Sequence, residues 1–527
     1  MEKHAVRARG IRLLKRGRLG FFRVLFSRVG LITLMLLLQI ALLLVAFLAL
    51  NRYLPQLIAV QSVFVAVMVL YLLNSEHDPS SKVTWLVFIM ITPIFGTIFL
   101  FFTQMNFGHR RLDELFRSQM EKTRYALSQD EQTVSALKEA DPSSAGIARY
   151  LARTGCFPVY RGCDTQYFRL GEDMFDRIME EMAKAEHFIF LEFFIIQEGQ
   201  MLGEMLELLS RKAAEGVEVR LIYDGMNEFF FVPRDYPKKL EQLGIRCKVF
   251  APLRPFLSTH YNYRDHRKIL VIDGHTAFTG GVNLADRYIN QEEVFGHWKD
   301  TGLMIRGEAA RSFTLMFLQN WNMTEKEPTY EPYLHAEQAA EPSAGDGFVI
   351  PYASSPLERS RAGEMVYIDI LNRAQRYVHI MTPYLILDGE LEMALCFAAE
   401  RGVEVSIIMP GVPDKKMPYA LAKTFYPQLM RAGVKIYEYT PGFVHAKCFV
   451  SDDCRAVVGT INLDYRSLYH HFECAAYLYG TEAVRDVESD FQATAALCHE
   501  VTPRDLRDLN VLTRLSGVLL KAAETLL

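Results

Sequence analysis

No two of the eight cysteines stand as a Cys-x-x-Cys pair, and none has histidines at the spacing of a zinc site. Thiolate-bound structural zinc is excluded on that ground. A chain of 527 residues has room for cores of its own and needs no disulfide staples, so the thiols are expected to be scattered and mostly buried. Positive charge is scarce where a nucleic-acid binder would need it. Residues 1–30 carry nine basic side chains against Glu2, a net +8 within a total of −4, which leaves −12 for the rest. An acidic body lacks the basic face that a phosphate backbone requires, so nucleic acid is not expected as a partner. The first apolar stretch, residues 29–50, lacks the marks of a cleaved leader. It is too long and no small-residue cleavage site follows it, so it reads as an anchor.

What is present is unevenly spread. Residues 1–28 form a basic amphipathic head, with Arg and Lys interleaved with Ile11, Leu13, Leu14, Phe21, Phe22, Val24, Leu25 and Phe26. That composition suits a helix on an anionic leaflet, the alternative being a positive tail that only sets orientation. Residues 29–103 form a membrane region with apolar runs at 29–50, 57–73 and 83–102. The first has only Thr33 and Gln39 as polar side chains, and at ~1.5 Å per residue it reaches across a hydrocarbon core of ~30 Å. Two or three transmembrane helices are expected. Trp85 suits the interface, and Pro93 inside the third run is tolerated in a membrane helix. The basic head places the N-terminus in the cytoplasm. His109, Arg110, Arg111 and Arg117 place the end of the third run there too. Both signals hold only for an even number of crossings, so one run would be re-entrant or the head would dominate. The side of the catalytic part stays open.

Residues 104–165 read as a charged helical linker, broken at 141–144. From 166 to 328 helices at 174–185 and 202–214 alternate with strands at 187–196 and 217–223. A linker rich in Pro, Glu, Ala and Gly follows at 329–347. The alternation restarts over 348–505, with a strand at 376–383, a helix at 391–401 and a strand at 403–409. The wording repeats as well: Ala213-Ala214-Glu215-Gly216-Val217-Glu218-Val219 is echoed by Ala398-Ala399-Glu400-Arg401-Gly402-Val403-Glu404-Val405. The expected fold is α/β, with two half-domains related by a pseudo-twofold axis, each a mostly parallel sheet flanked by helices. Residues 506–527 form an amphipathic tail suited to packing on the domain, with the bilayer as the alternative.

The repeat is sharpest in a short pattern: His266-Arg267-Lys268 with Asp273, and His445-Ala446-Lys447 with Asp452. Gly280 and Gly459 lie 14 positions past their histidines, and Asn283 and Asn462 lie 17 past them. Each histidine and its lysine are two apart, so they project from one face of a strand. Asp273 and Asp452 complete the catalytic pattern, but they fall at strand ends, where turn and strand-end hydrogen bonds are their expected work. Two such faces brought together hold two imidazoles, two ammonium groups and two carboxamides. Lysines and amides stabilise charge on phosphoryl oxygens, one neutral histidine attacks phosphorus, and the other, protonated, donates to the leaving oxygen. A metal is not expected, because Lys268 and Lys447 would repel a dication.

These residues resemble the phospholipase D superfamily, whose hallmark is the duplicated His-x-Lys-x4-Asp pattern. Within it, the runs Asn262-Tyr263-Arg264-Asp265-His266-Arg267-Lys268 and Gly442-Phe443-Val444-His445-Ala446-Lys447 are similar to those of bacterial cardiolipin synthases. So are Gly280-Gly281-x-Asn283, Trp298-Lys299-Asp300-Thr301 and Thr382-Pro383-Tyr384. The resemblance covers residue 57 onward, and the run at 29–50 with its head looks like an addition. It implies a multi-pass protein of the bacterial cell membrane with no cofactor, whose partners are phosphatidylglycerol and anionic membrane lipid. Protein partners are left open. It implies ping-pong transfer, in which His266 takes the phosphatidyl group and glycerol leaves, and a second phosphatidylglycerol then attacks, with His445 as acid and then base. It also implies a carboxylate behind each histidine, for which Glu473 and Asp300 are the candidates, while His470 and His471 are rim or loop residues. A hydrolase releasing phosphatidic acid is the nearest alternative, and a lipid-binding scaffold without catalysis is the non-enzyme one.

Overall fold

The computed structural model describes residues 54–75, 79–104, 107–252, 263–334, 345–358 and 360–521, with Leu37 and Ala41 as isolated positions. The basic head at 1–28 lies outside the described residues, as does the run at 29–50 apart from those two positions.

The apolar run at 57–73 falls within the helix Leu54–Leu73. The run at 83–102 does not make one helix. It breaks at Thr92 into Pro79–Ile91 and Pro93–Gln104, because Pro93 has no N–H to donate and its ring crowds the preceding turn. The two pieces bend back on each other. The rings of Trp85 and Phe99 lie 5.5 Å apart, where one straight helix would hold those positions about 21 Å apart. Gly96 permits the approach, since a Cβ there would meet the Phe88 carbonyl oxygen at 2.7 Å. Val60, Val63, Val67, Leu70, Met90, Ile91, Ile94 and Ile98 on these helices are all more than half exposed. Among the described residues no helix is long and apolar enough to cross a membrane, so the expected transmembrane helices are not confirmed.

In chain order the strands of the first half are β1 (Tyr160–Arg161), β2 (Asp164–Phe168), β3 (Phe188–Phe193), β4 (Glu218–Asp224), β5 (Ile245–Phe250), β6 (Arg264–Asp265), β7 (Lys268–Ile272), β8 (Thr276–Gly280), β9 (His297–Lys299) and β10 (Gly302–Arg306). The second half supplies β11 (Phe348–Ser354), β12 (Tyr377–Met381), β13 (Glu404–Pro410), β14 (Lys435–Tyr439), β15 (Gly442–Val444), β16 (Cys448–Ser451), β17 (Arg455–Gly459), β18 (His471–Tyr479) and β19 (Cys498–Glu500). One sheet runs β2-β10-β8-β7-β3-β4-β5, and the other β1-β11-β18-β17-β16-β12-β13-β14-β19. The shared order is the duplication made visible: β3, β4 and β5 match β12, β13 and β14, and β7 and β8 match β16 and β17.

Both sheets are mixed, which corrects the mostly parallel expectation. Apart from the short β6 beside β18, only β3, β4 and β5, and β12, β13 and β14, run parallel within them. Helical crossovers separate them, such as Gln200–Ala214 between β3 and β4 and Gly389–Glu400 between β12 and β13. The tight turns at Asp273 and Asp452 can join only antiparallel neighbours, and β7–β8 and β16–β17 pair that way. One apolar core serves both sheets, with Val271, Ala277 and Leu303 of the first in the same cluster as Ile380, Val457 and Ala475 of the second. Each half also lends a short strand to the other. β6 pairs with β18, and β15 pairs with β9. These two strands lead directly into His266 and His445.

Candidate active site

The lent strands fix both histidines from across the duplication. The His266 N–H donates to the Phe472 carbonyl at 2.9 Å, and the His445 N–H donates to the Lys299 carbonyl at 2.7 Å. The carboxylates are the very next residues, Glu473 after Phe472 and Asp300 after Lys299. The His266 imidazole meets Glu473 through Nδ1 at 2.9 Å, and the His445 imidazole meets Asp300 through Nδ1 at 2.6 Å. Each histidine is therefore backed by the acid of the opposite half. An ionised carboxylate only accepts, so each Nδ1 carries the proton and each Nε2 keeps its lone pair. Among the described residues neither Nε2 has a hydrogen-bond partner.

Lys268 and Lys447 are buried beside the histidines. Each ammonium donates to the carbonyl of the histidine two residues before it, and Lys447 Nζ also stands 2.8 Å from His445 Nδ1. Burial in this cationic cluster disfavours further positive charge. It pushes the His445 imidazole down to about 3, with Lys447 adding to the effect against Asp300. Burial, then Lys268 and Lys447, hold His266 well below the usual imidazole range. Burial also pushes Lys268 down to about 7 and Lys447 to about 8, with Glu473 and Asp300 opposing. For Asp300 burial pulls upward but is outweighed by His445 and Lys447, which hold the carboxyl below its ordinary range. The site sets two imidazoles, two lysines and two carboxylates together, and its imidazole Nε2 atoms and ammonium groups suit an anionic phosphodiester.

The repeated glycines do unequal work. Gly280 has φ 146°, and a Cβ on its neighbour Gly281 would fall 1.9 Å from Asp300 Oδ1 and 2.9 Å from the His445 carbonyl. That close approach lets Asp300 reach His445. The residue in the same place in the second half is Thr460, whose hydroxyl donates to Glu473 instead. The asparagines differ as well. Asn283 Oδ1 accepts from the Ile195 N–H at 2.9 Å, which directs its amide nitrogen elsewhere. Asn462 Nδ2 donates to Ser467 Oγ at 3.1 Å, and its Oδ1 is buried with no partner among the described residues.

Asp273 and Asp452 do not join this group, which corrects their place in the catalytic set. Asp273 accepts from the N–H groups of Glu186, His187 and Phe188 at 2.7–2.8 Å. Asp452 does the same for Gln375, Arg376 and Tyr377 at 2.9–3.1 Å. Both sit at positive φ, 49° and 56°, and each caps the entry of the neighbouring strand.

Sequence reasoning missed the rings around the histidines. Trp298 lies 5.3 Å from His445 between ring centres, and its Nε1 is 3.5 Å from Asp300 Oδ2. In the matching place in the second half is His471, a buried residue and not a rim residue. Its ring is 5.4 Å from His266, and its Nδ1 is 3.6 Å from Glu473 Oε1. The signal was present, since Trp298 and His471 each precede their carboxylate by two. Arg267 was missed too: it is buried against Glu192 at 2.7 Å and Asp265 at 3.2 Å, stiffening the strand before Lys268. His266, His471 and Glu473 offer three potential metal-ligand atoms within 4.8 Å of one another. An ammonium on Lys268 or Lys447 opposes a dication there.

Residues 178–321 and 367–495 match the family described as cardiolipin synthase, PLD-like domain, and residues 62–103 match the phospholipase D-nuclease N-terminal family. The chain belongs to the cardiolipin synthase family of phospholipase D-like proteins. A cardiolipin synthase of Geobacillus thermodenitrificans is 35% identical over 450 residues, covering 82% of this chain and 86% of that one. One from Halalkalibacterium halodurans is 33% identical over 442 residues, covering 82% and 86%. An uncharacterized protein of Streptococcus mutans is 54% identical over 459 residues, covering 87% of this chain and 99% of that one. The fold also resembles the crystal structure of phosphatidylserine synthase from Haemophilus influenzae Rd KW20, with a TM-score of 0.55 at 15% identity over 72% of this chain and all of that one. The two matched stretches of the PLD-like domain each contain one of the two histidine strands.

Proposed function

We propose that the protein is a membrane phosphatidyltransferase that converts two phosphatidylglycerol molecules into cardiolipin and glycerol. The observation that carries this reading is the pair of crossed histidine–carboxylate contacts flanked by Lys268 and Lys447. In the first step His266 Nε2 attacks phosphorus, the P–N bond forms, and the P–O bond to glycerol breaks. His445 gives its proton to the departing oxygen, while Lys268, Lys447 and Asn283 stabilise charge on the phosphoryl oxygens. In the second step His445 takes the proton from a hydroxyl of the second phosphatidylglycerol. Its oxygen bonds phosphorus and the P–N bond breaks. Glu473 and Asp300 hold the rings in the reacting tautomer.

The assay is lipid analysis after supplying phosphatidylglycerol in vesicles. Cardiolipin with one glycerol per molecule is expected, and phosphatidic acid without cardiolipin would show a hydrolase. His266→Ala and His445→Ala are each expected to abolish turnover. Activity retained by either would refute a shared site. Chelators are expected to leave turnover intact, and a loss restored by one particular metal would refute two-histidine chemistry.

The same proposal includes a topology. The apolar helix Leu54–Leu73 lies at the membrane, and Pro79–Ile91 with Pro93–Gln104 dips into it and returns. The bent-back pair returns the chain to the side it entered from, and the cluster His109, Arg110 and Arg111 puts that side, with the catalytic part, in the cytoplasm. The large exposed apolar surface of these helices favours a lipid surround. Lys138→Cys in sealed inside-out vesicles is expected to react with an impermeant maleimide. Reaction only in right-side-out vesicles would reverse the assignment.

A further inference from the structure

The helix Val511–Lys521 is attached to the second half along one narrow line. A Cβ on Gly517 would lie 2.5 Å from the Ala420 carbonyl oxygen, so the helix backbone rests directly on the helix Lys416–Ala422. Lys521 Nζ sits 4.1 Å above the Phe425 ring. The opposite side is apolar and bare. Val511, Leu512, Leu515 and Leu519 are 55–76% exposed, and their spacing of one, four and eight positions forms one helical face. Beneath the helix is a cavity of about 930 Å³, whose lining includes Met430, Val434, Leu506 and Val518 together with Arg431 and Arg507. Among the described residues neither of those guanidinium groups has a carboxylate or hydrogen-bond partner. The lining shares no residue with the histidine site. It lies at the β14–β19 edge, three strands from β16, or about 14 Å.

We propose that this helix is an interfacial anchor: its apolar face enters the surface of an anionic bilayer, while Arg431 and Arg507 contact lipid phosphates at the rim of the cavity. An apolar ridge beside unpaired basic groups is the composition of a surface-lying membrane helix. Guanidinium groups without protein carboxylates suit phosphate oxygens. A second copy of the chain is a poorer occupant. Eleven residues give a ridge about 16 Å long and ~10 Å wide, far below the ~800 Å² per partner of a stable interface. The anchor would hold the second half against the leaflet that supplies its substrate, and in this respect it rests on the phosphatidyltransferase reading.

The test uses the full chain in vesicles, with a benzophenone amino acid in place of Leu515. Irradiation is expected to yield a phospholipid adduct, several-fold more in phosphatidylglycerol vesicles than in phosphatidylcholine vesicles, and the excess is expected to vanish with Arg431→Glu and Arg507→Glu together. A crosslink to a second copy, or no lipid adduct, overturns the proposal. In parallel, Leu512→Glu, Leu515→Glu and Leu519→Glu combined are expected to lower turnover of bilayer phosphatidylglycerol about tenfold, with turnover of dispersed short-chain phosphatidylglycerol unchanged. An equal loss on both substrates, or no loss on either, overturns it. Failure of the unsubstituted protein to make cardiolipin would count against the function, whereas the lipid adduct would still decide the anchor.

Discussion

At His445 the energetic question is where the departing glycerol finds its proton. The imidazole is pushed down to about 3 by burial and by Lys447, so it is neutral at physiological pH. An acid is needed there, and the charge that makes one is the phosphodiester anion, which offsets the lysines once bound. Substrate binding should therefore take up a proton. Calorimetry of a non-transferable phosphonate analogue in buffers of different ionisation enthalpy should show uptake of up to about one proton near pH 7, diminished by His445→Gln. An enthalpy independent of buffer would reject the scheme. The same scale separates Trp298 from His471. Both place a ring nitrogen near the carboxylate, but only His471 titrates, so the two sides of the duplication differ in chemistry despite their common geometry.

At the scale of elements, the ends of strands matter more than their interiors. Asp273 gathers three N–H groups at the entry of β3, and its removal leaves the buried Phe188 donor and two part-buried ones unpaired. Asp273→Ala is expected to cost on the order of 2–4 kcal/mol in chemical denaturation, with turnover of the folded protein little changed. Asp452→Ala should cost less, because the N–H groups of Gln375 and Arg376 are near water. Loss of turnover in a stably folded Asp273→Ala protein would restore that aspartate to the chemistry. Gly281→Ala is the converse case. Its Cβ collides with Asp300 and the His445 backbone, so kcat is expected to fall at least about a hundredfold while the unfolding midpoint moves modestly. A normal kcat would mean that Asp300 does not need its observed position. The mixed sheets belong to this scale too. The alternation of helix and strand was readable in the sequence, but the direction of each pairing depends on whether a crossover or a tight turn joins the strands.

At the scale of the whole molecule, the site is a burial cost that the fold carries. His445 titrates at about 3 when folded against 6.5 for a free imidazole, so the unfolded chain binds more protons between those values. Stability from this group is therefore full above about pH 6.5 and is lost as pH falls toward 3. His445→Gln should flatten that part of the stability–pH curve, measured by denaturant midpoint between pH 7 and 4. An unchanged slope would show that His445 is not held neutral.

The sequence alone determined the duplication, the histidines, lysines and asparagines of the site, and the strand-end nature of the two aspartates. Each of these is a local pattern: a period of two, a fixed offset, or a turn signal. The tertiary structure decided which acid serves which histidine. Glu473 follows His445 in the chain, and Asp300 follows His266, yet the partners are exchanged. That crossing arises because β6 and β15 each pair with a strand of the other half. It also decided that residues 79–104 bend at Pro93, and that His471 is buried beside His266. Offsets along one chain record how far apart residues are in sequence. Hydrogen bonds between strands record which residues the closed fold brings together, and here the two accounts differ because each half completes the other.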